Sequence, residues 1–167
     1  MNNAEKAAAV IQDAGGRVIG RTKLQKITYL LCAAGLEDGF DFEYRHYGPY
    51  SENLSDAIAE ARLGGLVSED ERSAQWGGSY SIYQTTKPLD RSAEAVRLRL
   101  VQLAASADAV VLELAATAVY LARQGNPDPW KETARRKPEK ASGRLDRAAA
   151  LLAELRSVKV PSQLPAI

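Results

Sequence analysis

The heptapeptide Arg45-His46-Tyr47-Gly48-Pro49-Tyr50-Ser51 constrains this chain more than any other stretch. Proline has a fixed φ and no N–H, and it biases the residue before it away from helix. Upstream, Phe42, Tyr44 and His46 alternate with Glu43, Arg45 and Tyr47, the period of an extended segment. Gly48-Pro49 is expected to end that segment. Ser51 is a natural helix N-cap, and Glu52 suits the positive end of the helix that follows. The chain must therefore arrive extended, turn, and restart as helix. His46, Gly48, Pro49 and Ser51 are expected to be structural residues of this motif, with the His46 ring hydrogen-bonded beside Tyr47.

The flanking segments give the motif its setting. Ala7, Val10, Ile11 and Ala14 recur at helical spacing and predict a helix over 3–14, ended by Gly15-Gly16. Arg17-Val18-Ile19 is a short extended piece. Thr22-Lys23-Leu24-Gln25 matches a capping box and predicts a helix to about Ala34, with Leu24, Ile27, Thr28 and Leu31 on one face. After Ser51, Leu54, Ile58 and Ala61 form the buried stripe of another helix. Leu66-Val67-Ser68 and Ser79 to Tyr83, joined through Trp76-Gly77-Gly78, read as a β-hairpin. The order helix, short strand, helix, helix, hairpin is that of a winged helix carrying an inserted extended segment at about 37–50.

Beyond Lys87-Pro88 the pattern is helical. Helices are expected over 91–104, 107–123, 130–136 and 139–156, and a tail over 158–167 is expected to be extended or frayed. The fold class is thus mainly α with a small β hairpin. A winged-helix-like unit over 1–87 is followed by a helical unit over 88–157.

Composition excludes several roles. The one cysteine, Cys32, cannot form an internal disulfide, and no signal peptide is apparent, so a cytoplasmic setting is expected. No apolar run spans a bilayer without charges. Residues 1–87 hold nine Lys/Arg against twelve Asp/Glu, a net −3, and the rest of the chain is +4. A strongly basic N-terminal half would point to nucleic acid, and this one does not.

The charged and aromatic candidates each admit two readings. Arg21, Lys23 and Lys26 bracket a helix start, where phosphates bind, or they form a solvated face. The helix after Ser51 stands where a recognition helix would, yet it offers Glu52, Asp56 and Glu60 against Arg62 alone. Acids there favour a protein partner over DNA. Tyr44, Tyr47 and Tyr50 either pack or form a contact patch with Arg45, and packing is expected for two of the three. Arg135, Arg136 and Lys137, near Lys140 and Arg144, meet nucleic acid, or the acidic N-terminal half of the same or another subunit. Glu113 sits in an otherwise apolar helix and requires a partner, an Arg for example, or solvent. His46 is the lone histidine, so no metal or catalytic constellation suggests itself.

Gly20-Arg21-Thr22-Lys23-Leu24-Gln25-Lys26-Ile27-Thr28-Tyr29-Leu30, then His46 to Ser51 and Gly65-Leu66-Val67, resemble YwgA-type prokaryotic proteins. They are more distantly similar to the Panacea (SocA-like) antitoxin domain, with its "TKLQK…YL" helix and "YGP" turn. The resemblance covers about residues 16–67 and weakens around Leu112 to Thr117 and Trp130 to Glu132. It implies a non-enzymatic domain that binds a toxin protein. The sequence therefore leads to a cofactor-free regulatory interaction module working through a protein partner or a second copy of itself. The alternative is a winged-helix regulator that binds duplex DNA.

Overall fold

The computed structural model describes residues 1–167. Eight helices surround a three-stranded antiparallel sheet and a separate two-stranded hairpin. In chain order these are α1 (Asn3–Asp13), β1 (Arg17–Ile19), α2 (Arg21–Ala33), β2 (Glu43–Arg45), β3 (Gly48–Tyr50), α3 (Glu52–Leu63), β4 (Val67–Ser73) and β5 (Ser79–Thr85). The second half contributes α4 (Ala95–Ser106), α5 (Ala109–Arg123), α6 (Pro129–Arg136), α7 (Pro138–Ala141) and α8 (Leu145–Arg156). The mainly helical class expected from the sequence is the observed one. No helix is long and apolar enough to cross a membrane.

The three-stranded sheet runs β1-β5-β4, with Val18 opposite Tyr83 and Glu69 opposite Tyr83 on the other side. α5 is the hub. Leu112, Leu114, Ala115, Ala116, Ala118 and Val119 are fully buried, as expected of a helix apolar on nearly every side. It packs against α2, α6 and α8 and receives β3 along its length. One continuous apolar cluster takes residues from both halves, from Ala4 to Leu164. The halves therefore share a core.

Three local expectations are corrected, and one is narrowed. The helix α2 begins at Arg21 with Gly20 as its N-cap and no side-chain cap, so Thr22 and Gln25 form no capping box. Gln25 is drawn away by a distant partner described below. Gly48-Pro49 does not end the extended segment but forms β3, with Glu43 opposite Tyr50 and Arg45 opposite Gly48. Proline is tolerated because both strands of a two-stranded ribbon are edge strands. The last helix is two: Ser142-Gly143 separates α7 from α8. The tail is extended but not frayed. Leu164 is 1% exposed, Ser162 N donates to Ala34 O at 3.0 Å, and Arg156 Nε donates to Leu164 O at 3.0 Å.

Candidate functional site

The two halves of the sequence motif meet. Gln25, on α2, donates from Nε2 to Ser51 O at 2.9 Å and accepts from Ser51 N at 2.8 Å. This amide mimics a strand partner for the residue that starts α3. Ser51 Oγ in turn accepts from Leu54 N at 3.2 Å, so the expected N-cap is present. One residue along, Lys26 is 1% exposed and its Nζ donates to Pro49 O at 2.8 Å. Burial drives its pKa down to about 7, and Lys137 and Lys140 push the same way while Glu113 opposes them.

Gly48 supplies the close approach. Its φ is +93°, and a Cβ there would overlap Thr117 Oγ1 on α5 and lie 3.7 Å from Lys26 Cε. Thr117 is fully buried and its hydroxyl has no hydrogen-bond partner. One turn earlier on α5, Glu113 is 3% exposed. It meets lysines, not an arginine or solvent: Lys137 Nζ at 3.0 Å, and Lys140 Nζ at 3.0 and 2.9 Å. Lys137 Nζ also donates to His46 O at 2.9 Å. The β2–β3 hairpin is thus tied to α2 by Lys26 and to α6–α7 by Lys137. A buried charge is costly unless it is paired and hydrogen-bonded, and here one carboxylate and two backbone carbonyls serve three lysines.

The expected contact residues are now placed. Lys26 and Lys137 are interior and form no surface. His46 contributes its carbonyl, while its ring is exposed and makes no hydrogen bond beside Tyr47, because the two residues form the hairpin's outward loop. Tyr44 and Tyr50 are half-buried and Tyr47 is exposed, the expected two-to-one division. Tyr44 lies under the Arg136 guanidinium at 4.5 Å and Tyr50 under that of Arg45 at 4.8 Å. Arg45 pairs with Glu43 and Glu52, and Arg135 and Arg136 pair with Glu132 of their own helix. Arg21 pairs with Glu69 at 3.1 Å and Glu71 at 3.6 Å. Lys23 Nζ donates to Ala105 O at 2.8 Å, and burial lowers its pKa.

A groove of about 480 Å³ opens above this junction. It lies between the start of α2 (Gly20 to Lys23), the β4–β5 hairpin (Glu71, Trp76, Tyr80), the start of α5, Tyr47 and Lys140, with Glu113 at its floor. Three of the six large apolar side chains exposed on the whole molecule border it: Ile19 at 48%, Tyr47 at 56% and Trp76 at 77%. The Trp76 ring lies over the Gly78 backbone so closely that a Cβ at Gly78 would collide with it. Neither Trp76 nor Ile19 is among the contact residues expected from the sequence. A lone tryptophan in a glycine-bracketed polar turn was the available signal, since it has no neighbours in its own segment against which to bury. No three His, Cys, Asp or Glu side chains gather in a way that could hold a metal ion.

No protein-family model matches the chain, and no curated protein matches it in sequence.

Proposed function

We propose that this chain is a non-enzymatic regulatory interaction module that acts through protein–protein contacts, antitoxin-like in kind. Its first half is read as a winged-helix-like unit, with the β4–β5 hairpin as the wing. One observation carries the reading: Ile19, Tyr47 and Trp76, from three separate segments, border one groove and stay exposed. Exposed aromatic side chains gathered around a concavity are the usual anchors of protein interfaces. The likeness of the Thr22–Leu30 and Tyr47–Ser51 motifs to the Panacea domain supports the same class.

The DNA-binding alternative is less well supported. The exposed side chains of α3 include Glu52, Asp56 and Glu60, which phosphates would repel. Of the basic residues that reading needs, Lys26 and Lys137 are interior, and Arg21, Arg135 and Arg136 each face a carboxylate. Duplex DNA is expected to show no retention by the chain in low-salt gel-shift or anisotropy experiments.

The decisive experiment is affinity capture from native lysate with the wild-type chain beside a Tyr47→Ser/Trp76→Ser variant. Both side chains are exposed, so the variant should melt within about 4 °C of wild type, since such surface changes usually stay within ±0.5 kcal/mol each. The wild type should recover a stoichiometric protein and the variant should lose it. Equal recovery by both would remove the groove from the reading, and recovery by neither would overturn the reading itself.

A further inference from the structure

We propose that the groove takes an acidic segment of the partner protein, a carboxylate side chain at Lys140 with a flanking apolar side chain against Trp76 and Tyr47. This rests on the protein-contact reading above and deepens it. The groove is apolar at its rim, but the charge beneath it is not balanced. Arg21 is matched by Glu71 within the groove. Glu113 is the one carboxylate at the floor, and it is shared by Lys137 at 3.0 Å and Lys140 at 2.9 Å. Lys26, in the same cluster, has only a carbonyl as its hydrogen-bond partner but is brought to a pKa of about 7 by burial, and Lys23 at the groove's edge has Asp108 nearby, so the surplus rests on Lys137 and Lys140 against Glu113. The local surplus is therefore positive, and it sits against low-dielectric walls that project it into the concavity.

Of these lysines, Lys140 is the one presented to a ligand. It lines the groove, its side chain is 36% exposed, and its Nζ stands 4.6 Å from the centre of the Tyr47 ring. An incoming carboxylate can share Lys140 without stripping Glu113, because Lys137 remains on Glu113 from the interior. The rim chooses what accompanies that carboxylate. Trp76 and Tyr47 offer flat apolar faces, and Ile19 of β1 and Tyr80 of β5 line the groove with them. An Asp or Glu beside a Leu, Phe or Met matches both features. A purely acidic segment would leave the rim wet, and a purely apolar one would leave the surplus charge unpaired.

The test uses the full chain and fluorescein-labelled octapeptide pools. One pool carries Asp/Glu with Leu/Phe, and its counterpart has Asn/Gln at the acidic positions. A single-stranded oligonucleotide of equal charge competes. The acidic pool should bind at least tenfold more tightly than its amide counterpart and weaken as salt rises. Lys140→Met should lose that preference and Lys140→Arg retain it, while Trp76→Ser should weaken the binding of both pools alike. Lys140→Met is expected to stay folded because Glu113 keeps Lys137, and thermal melting checks this. Equal binding of the two pools, or no binding of either, overturns the proposal. Displacement by the oligonucleotide with no acidic-pool preference also overturns it, in favour of nucleic acid. A captured protein partner that depends on Trp76 but shows neither salt sensitivity nor loss with Lys140→Met overturns this inference and leaves the protein-contact reading intact.

Discussion

Replacing Gly48 with alanine tests the central joint of the molecule. Two independent costs apply. A residue with a Cβ pays roughly 1–2 kcal/mol to adopt a left-handed backbone, and Gly48 sits at φ +93°. The new methyl also overlaps Oγ1 of Thr117, a fully buried residue of α5, and overpacking of this kind costs about 1–3 kcal/mol. The expected loss is about 2–5 kcal/mol, a large share of the roughly 5–15 kcal/mol that holds a typical domain together.

Two further variants separate the costs. Gly65 also has positive φ, +73°, but nothing lies within 4 Å of where its Cβ would be. Gly65→Ala should therefore show the backbone cost alone. Thr117→Ala removes the colliding hydroxyl, which has no hydrogen-bond partner to lose, and should itself change stability by less than about 1 kcal/mol. In that background Gly48→Ala should recover about 1–3 kcal/mol, whereas Thr117→Val, which puts a methyl in the hydroxyl's place, should rescue nothing. Urea unfolding with a double-mutant cycle measures all of these. If Gly48→Ala costs no more than Gly65→Ala, or costs the same with and without Thr117, the close packing of the 48–50 strand on α5 is not what requires glycine.

Three other perturbations probe the same framework. Glu113→Ala leaves Lys137 buried without its counter-charge and should cost about 3–5 kcal/mol, while Lys140→Met, losing the half-exposed arm, should cost under about 1 kcal/mol by the same urea assay. Leu164→Ala should cost about 2–5 kcal/mol, seen as a lower melting temperature, because this tail side chain is fully packed. Lys26 should make wild-type stability climb as pH rises from 7 toward 9: its folded pKa of about 7 lies below the unfolded value, so in that window the unfolded chain holds the extra proton. The gain is bounded by about 1.4 kcal/mol per pH unit. Lys26→Met should flatten it, and an unchanged slope in that variant refutes the assignment. Measurements belong below pH 9, since Cys32, whose thiol burial pushes up to about 12, contributes the opposite slope above its ordinary pKa.

Much of the architecture could be read from periodicity, and the failures have a common cause. The helices α2, α3 and α5 were legible because each carries an apolar face at helical spacing, and Ser51 because its cap is a local interaction with Leu54. Gln25 was misread because a capping box is a local pattern too, and nothing in four residues reveals that the amide has a better partner 26 positions away. A lysine reads first as a surface charge, as most lysines are, and this holds for neither Lys26 nor Lys137. Leu24 to Leu31 is buried without interruption, so α2 has no solvent face there for a lysine to occupy, but that burial comes from packing against distant segments and not from the local pattern. The burial of Lys137 likewise depends on how α6 and α7 meet the β2–β3 hairpin.

The buried lysines also bear on why the site sits where it does. An apolar replacement of this cluster would fill the same space with less desolvation, so stability alone does not account for it. What the polar ties add is direction. Lys26 and Lys137 each hold one backbone carbonyl, on either side of Tyr47 and Gly48, and hydrogen bonds fix a strand's height and register in a way that apolar contacts do not. The β2–β3 hairpin has no sheet neighbour to set its position. Its place over α5 is set by those two lysines, by Gln25 on Ser51, and by the missing Cβ of Gly48. Tyr47, at the turn of that hairpin, reaches the groove only because those ties hold, and Lys140 reaches it from the same carboxylate that anchors Lys137. The segment Arg45–Ser51 is held by four attachments, three to its backbone and one through the missing Cβ of Gly48, and together they present one aromatic ring to the same concavity that Lys140 reaches with its ammonium group.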